Sequence, residues 1–179
     1  MKGVVFTEYL EFIEDQFGFD VVDDMIEQAG VSGVYTQAGN YEFDELLKMV
    51  QALSAIVDAP LGVLVGAFAK HLFKKLVVIY PEPTKNYTNA FEFISNIDSV
   101  VHPEVQKLYP DAELPTFDTV SCTDQELVMK YRSKKPLMDL AQGLMEACGE
   151  HYNEDIIVSY SVLPKVDEYF EAQFTITKG

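Results

Sequence analysis

The hydrophobic period of this chain changes once, near Leu114, and that change constrains the fold more than any other feature. Before it, apolar residues recur at helical spacing; after it, they alternate. Val4, Val5, Tyr9, Phe12, Ile13 and Phe17 predict a first helix with one apolar face, stopped at Gly18. A second is predicted from Asp20, as its cap, to Ala29, with Gly30 ending it, and a third from Phe43 to Val57. Pro60 suits the first turn of a fourth helix, whose Leu61, Val63, Leu64, Ala67, Phe68, Leu72 and Phe73 are apolar around much of its circumference. Such a helix must be buried or line a cavity. Pro81-Glu82-Pro83-Thr84 breaks the chain, Asn86 to Asn96 resumes a helical pattern, and Asp98 or Ser99 can cap a further helix. In that helix Pro103 falls near the fourth position, and His102, Val105, Gln106 and Tyr109 share one face.

Beyond Leu114, segments Leu114–Ser121 and Glu126–Ser133 predict a hairpin around Cys122-Thr123-Asp124-Gln125. A helix after Pro136 carries Leu137, Leu140, Ala141, Leu144 and Cys148 and stops near Gly149. Two more strands, Ile156–Val162 and Tyr169–Thr177, are joined at Leu163-Pro164-Lys165. The fold class is α+β: a mainly helical N-terminal part, then an antiparallel sheet of about four strands with one inserted helix. Nothing marks an internal boundary, so residues 1–179 are expected to form a single domain.

Composition narrows the partners. Thirteen Lys and Arg against 29 Asp and Glu give a net charge of −16, a field that repels nucleic acid and anionic lipid. The N-terminus runs from Val4-Val5-Phe6 directly into Glu8 and Glu11 without a signal-peptide core, and Lys70, His71, Lys74 and Lys75 interrupt the apolar stretch from Pro60 to Tyr80. No membrane insertion and a cytoplasmic location are expected. Cys122 and Cys148 lack metal-site spacing, and with three histidines in the chain they form no plausible zinc cluster.

The residues that carry chemistry are His102 and the cluster Tyr131-Arg132-Ser133-Lys134-Lys135. A neutral imidazole on an otherwise apolar helix can bind a haem iron axially, and a Tyr-x-Ser-x-basic cluster offers two hydroxyls and a cation to the haem carboxylates. His71, on a largely apolar helix, and His151, near a helix end, read as structural. Met25, Met49, Met129 and Met145 read as core filling rather than iron ligands.

This pairing resembles the haem nitric-oxide/oxygen-binding (H-NOX) family, whose motif is Tyr-x-Ser-x-Arg. The stretch from His102 to Pro115 resembles the family's proximal helix and the proline-bearing strand after it, and Met1-Lys2-Gly3, Gly18 and Asp20-Val21-Val22 extend the likeness over essentially the whole chain. The chain departs from the motif at Lys135, which keeps the charge of the family's arginine but loses its planar fork; Lys134 competes for the same role.

The resemblance implies haem b buried between the helical part and the sheet, with His102 as the iron ligand and Tyr131, Ser133 and Lys135 at the propionates. Pro115 is implied to pack on the macrocycle, and Val5, Phe73, Leu140 and Leu144 to line the gas-binding side, with Tyr9 as the one nearby hydroxyl. Oxygen-binding relatives place a tyrosine where this chain has Leu140 and a supporting amide where it has Ala69. The function implied is that of a non-enzymatic sensor of nitric oxide, also binding carbon monoxide. Nitric oxide weakens the iron bond to His102, and the signal passes to a separate histidine kinase or a cyclic-di-GMP enzyme (diguanylate cyclase or phosphodiesterase). Two alternatives stay open: an oxygen or carbon monoxide sensor or carrier with the same haem, and a cofactor-free acidic interaction module.

Overall fold

The computed structural model describes residues 1–179. Its first half is helical: α1 (Gly3–Phe17), α2 (Phe19–Ala29), α3 (Phe43–Val57), α4 (Leu61–Ile79), the single turn α5 (Glu82–Lys85) and α6 (Ala90–Ser95). Asp20 lies in the first turn of α2, where its charge favours the N-terminus, but Gly18 is the capping position. Pro60 likewise sits one residue ahead of α4. The Pro81–Thr84 break contains α5 instead of open chain, and α6 starts four residues later than the pattern suggests because Asn89 caps it by accepting the Glu92 N–H at 2.9 Å. At the start of α1 the backbone passes so close to the Thr36 carbonyl that a Cβ on Gly3 would lie 1.8 Å from its oxygen, so only glycine fits.

The segment bearing His102 departs most from expectation. Asp98 does not cap a helix; residues Ile97–Val101 form a π-helical turn that runs into α7 (His102–Leu108), and Pro103 lies in the first turn of α7. Gln106 is exposed, so His102, Val105 and Tyr109 alone share the partly buried face.

The second half is β1 (Thr116–Cys122), β2 (Glu126–Ser133), α8 (Met138–His151), β3 (Ile156–Val166) and β4 (Tyr169–Lys178). All pairings are antiparallel, in the order β1-β2-β4-β3. Alternation places Leu127, Met129 and Tyr131 of β2 beside Ile176, Phe174 and Ala172 of β4 on one buried face. Two expected boundaries move. Helix α8 continues past Gly149 to His151, and β3 continues through Leu163-Pro164-Lys165 as a register irregularity, with the turn falling at Asp167, whose φ is +53°.

Two hydrophobic cores result. One, built on Phe6, Ile13, Met25, Met49 and Leu53, joins α1 to α4; the other joins α6 and α8 to the inner face of the sheet through Ile94, Leu127, Met129, Tyr131 and Phe174. Each such buried side chain contributes about 1.5–3 kcal/mol. Helix α8 packs on α4 with Gly143 against Ala69 and Gly66, and a Cβ at Gly143 would come within 2.6 Å of the Ala69 Cβ. No single helix is long and apolar enough to cross a membrane.

Candidate haem site

Between the two cores lies a cavity of about 690 Å³, within the ~300–1,000 Å³ span of small-molecule sites, with 27 hydrophobic residues among the 38 that line it. Elements from both halves of the chain form it: α1 gives Val5, α4 gives Leu72 and Phe73, α8 gives Leu140, Leu144, Met145 and Cys148, β1 gives Phe117 and β2 gives Tyr131. His102 is the one histidine on its wall.

The His102 side chain is 16% exposed, and its Nδ1 lies 2.8 Å from Oδ1 of Asp98, one helical turn earlier. Burial lowers its pKa below the ordinary histidine value, with Asp98 opposing. The imidazole is therefore neutral at pH 7, and the carboxylate beside Nδ1 fixes the tautomer that leaves the Nε2 lone pair free. Asp98 is itself placed by the sheet: its Oδ2 accepts the Phe117 N–H of β1 at 2.8 Å.

Eight of the ten residues singled out in the sequence line this cavity: His102, Tyr131, Lys135, Pro115, Val5, Phe73, Leu140 and Leu144. Tyr9 and Ser133 do not. Tyr9 is buried in the helical core, edge-on to Phe68 at 5.1 Å, and its hydroxyl has no partner; burial raises its pKa. It faces packing instead of the cavity, because the apolar face of α1 turns that position toward α4. The Ser133 hydroxyl accepts the Lys135 N–H at 3.1 Å, which shapes the turn after β2. Tyr131, fully buried, donates its hydroxyl to the Lys135 carbonyl at 3.0 Å and accepts the Leu137 N–H at 3.3 Å. Of the two competing lysines, Lys135 lines the cavity and pairs with Glu113, whereas Lys134 turns outward to Glu168 at 3.1 Å and the Tyr169 ring. Ala69 is fully buried but packs toward Gly143 and is not on the cavity wall.

The other histidines are accounted for elsewhere. His71 Nε2 lies 3.5 Å from Glu8 Oε2 between α1 and α4, and the His151 ring meets Tyr152 and Phe73 edge-on. Both cysteines are free. Two residues that the sequence reading misses matter at this site. Asp98 could have been found by its i, i+4 spacing to His102. Lys2 lines the cavity through a contact with Asp111 across the fold, for which no local signal exists.

The donor set fits a haem. An apolar chamber offers one free imidazole nitrogen to a metal, and lysines with a phenol nearby suit carboxylates at its edge. Fold and cavity together are those of a haem-binding sensor domain. A family model described as haem-NO-binding matches residues 2–160, and the chain belongs to that family, the H-NOX proteins, which are haem-based gas sensors and not enzymes. The chain is similar to the Fe(II) unliganded H-NOX protein from K. algicida, with 38% identity, a TM-score of 0.92, and coverage of 100% of this chain and 97% of that one. An H-NOX protein from S. oneidensis in the Fe(II)NO ligation state matches in fold, at 24% identity and a TM-score of 0.88, over 100% of this chain and 99% of that one. A search of curated proteins gave no match.

Proposed function

We propose that residues 1–179 form one cytoplasmic sensor domain that holds haem b on His102 and responds to nitric oxide. The observation that carries this reading is His102, the one histidine on the wall of the apolar cavity, its Nδ1 2.8 Å from Asp98. Tyr131, Ser133 and Lys135 are the groups for the haem carboxylates and Pro115 packs on the macrocycle, a reading supported by Tyr131, Lys135 and Pro115 on the cavity wall and by the Ser133 bond to the Lys135 N–H. Haem bound here would be held by His102 and would supply a ferrous iron able to take a diatomic gas, and nitric oxide binding would weaken its hold on the imidazole.

The Asp98 tie determines what this chain does with that weakening. Asp98 joins the imidazole to the Phe117 N–H, so a displaced His102 disturbs both α7 and the start of β1. The ligand then shifts a balance between two arrangements of that corner. A separate signalling enzyme, a histidine kinase or a cyclic-di-GMP enzyme, reads the shift.

Selectivity for nitric oxide over oxygen rests on the absence of a donor at Leu140, and Tyr9, off the cavity wall, does not replace it. The test is the absorption spectrum of the reduced, haem-loaded protein under anaerobic conditions, then with nitric oxide, with carbon monoxide, and in air. Soret changes with the two gases and none attributable to oxygen binding in air support the reading. A stable oxygen-dependent spectrum would overturn the selectivity.

A further inference from the structure

Lys2 and Lys135 are the only lysines or arginines on the cavity wall. The two lysine side chains are 12% and 17% exposed, whereas the carboxylates they pair with, Asp111 and Glu113, are 56% and 59% exposed. Each ammonium is thus held inward while its partner stands in solvent. Lys2 Nζ lies 2.6 Å from Asp111 Oδ1 and 5.6 Å from the centre of the Tyr109 ring. An ammonium has three N–H donors, and a single carboxylate oxygen takes one. The position of Lys2 is also over-determined. Lys2 bridges to Asn40, and Gly3 next to it admits no side chain against Thr36. A lysine fixed at its root, shielded from solvent and on the wall of a mainly apolar cavity is an anchor for a buried anion.

We infer that Lys2 is a second cofactor-anchoring cation, which meets a propionate of the haem alongside the group served by Lys135. This rests on the haem reading of the cavity. With lysine in place of the arginine of the family motif, one compact ammonium cannot grip a carboxylate through a planar fork, and Lys2 supplies the second charge. Asp111, more than half exposed, is then a competitor for the ammonium and does not help to hold the haem.

The experiment measures the rate of haem transfer from the ferric holoprotein to excess apomyoglobin, for the parent, Lys2→Met, Lys2→Arg and Asp111→Asn. Loss of one charge-assisted hydrogen bond predicts haem loss about tenfold faster in Lys2→Met, with the parent rate kept in Lys2→Arg. Asp111→Asn should lose haem no faster than the parent. Haem whose two propionates are methyl esters gives the decisive arm: parent and Lys2→Met should then lose it at the same rate. If Asp111→Asn accelerates loss as much as Lys2→Met does, or if the Lys2→Met effect persists with the ester, Lys2 acts as a structural strap and the inference is overturned. A parent that takes up no haem overturns the functional reading. A parent with a normal haem spectrum and a Lys2→Met variant with the parent rate overturn this inference alone. Should Lys2→Met fail to fold, Lys2→Gln, which keeps a polar end without the charge, takes its place: faster loss of native haem that disappears with the ester haem supports the inference, and the parent rate with native haem overturns it.

Discussion

His102 Nδ1 and Asp98 Oδ1 lie 2.8 Å apart across one turn of the chain, and the other oxygen of Asp98 holds the Phe117 N–H of β1. One carboxylate thus sets the orientation of the imidazole and ties it to the sheet. Asp98→Ala should weaken haem retention about 10- to 100-fold, the usual cost of losing a partner that orients a metal ligand. Asp98→Asn, which keeps one acceptor, should fall between. Haem-transfer rates check this, and parent-like retention in the alanine variant would show that His102 needs no orienting partner.

Oxygen binding should be created at Leu140 and not supported from Ala69. Leu140→Tyr places a hydroxyl on the cavity wall, and a donor to bound oxygen gains about 1.5–3 kcal/mol. Adding Ala69→Asn, a natural pairing from sequence resemblance alone, should instead cost about 1–3 kcal/mol, because Ala69 packs against Gly143 with no room for three further heavy atoms. Spectra in air report the first effect and thermal melts the second.

Tyr131 should stabilise the protein even without haem. Its hydroxyl joins the Lys135 carbonyl and the Leu137 N–H, which also bond each other at 2.9 Å, so Tyr131→Phe removes hydrogen bonds without orphaning either group and costs about 0.5–1.5 kcal/mol. Urea unfolding of the haem-free variant checks this, and an unchanged midpoint would confine Tyr131 to cofactor contact.

The two thiols should differ in reactivity. Cys122 is exposed at the end of β1, whereas Cys148 is buried on the cavity wall with its pKa raised by that burial. A thiol reagent should titrate one cysteine in the native protein and two in denaturant. Two fast-reacting thiols in the native state would contradict the packing of α8.

Much of the fold is legible in the residues, for reasons that also explain the rest. The bounds of α3 and the hairpin around Cys122–Gln125 follow from local periodicity and turn chemistry, which need nothing from the rest of the chain. The turn predicted at Leu163-Pro164-Lys165 is absent because β3 is an edge strand, where a proline can sit at an irregularity without ending the ladder. Asp98 reads as a cap in the sequence because its carboxylate partner, the Phe117 N–H, lies 19 residues away. The resemblance assigns Tyr9 to the gas-binding side, yet Tyr9 packs on Phe68 off the cavity wall, while Ser133 accepts the Lys135 N–H and keeps its own hydroxyl proton to donate. Lys2 and Asp111 meet only in the folded chain.

The proposed role of His102 as the sole protein ligand to the haem iron is checked by the spectrum of ferrous His102→Gly with and without added imidazole. No other histidine lines the cavity. The variant should lose haem on purification or show an altered Soret band, restored toward the parent when imidazole fills the space. A parent-like ferrous spectrum at full haem content, without imidazole, would contradict it.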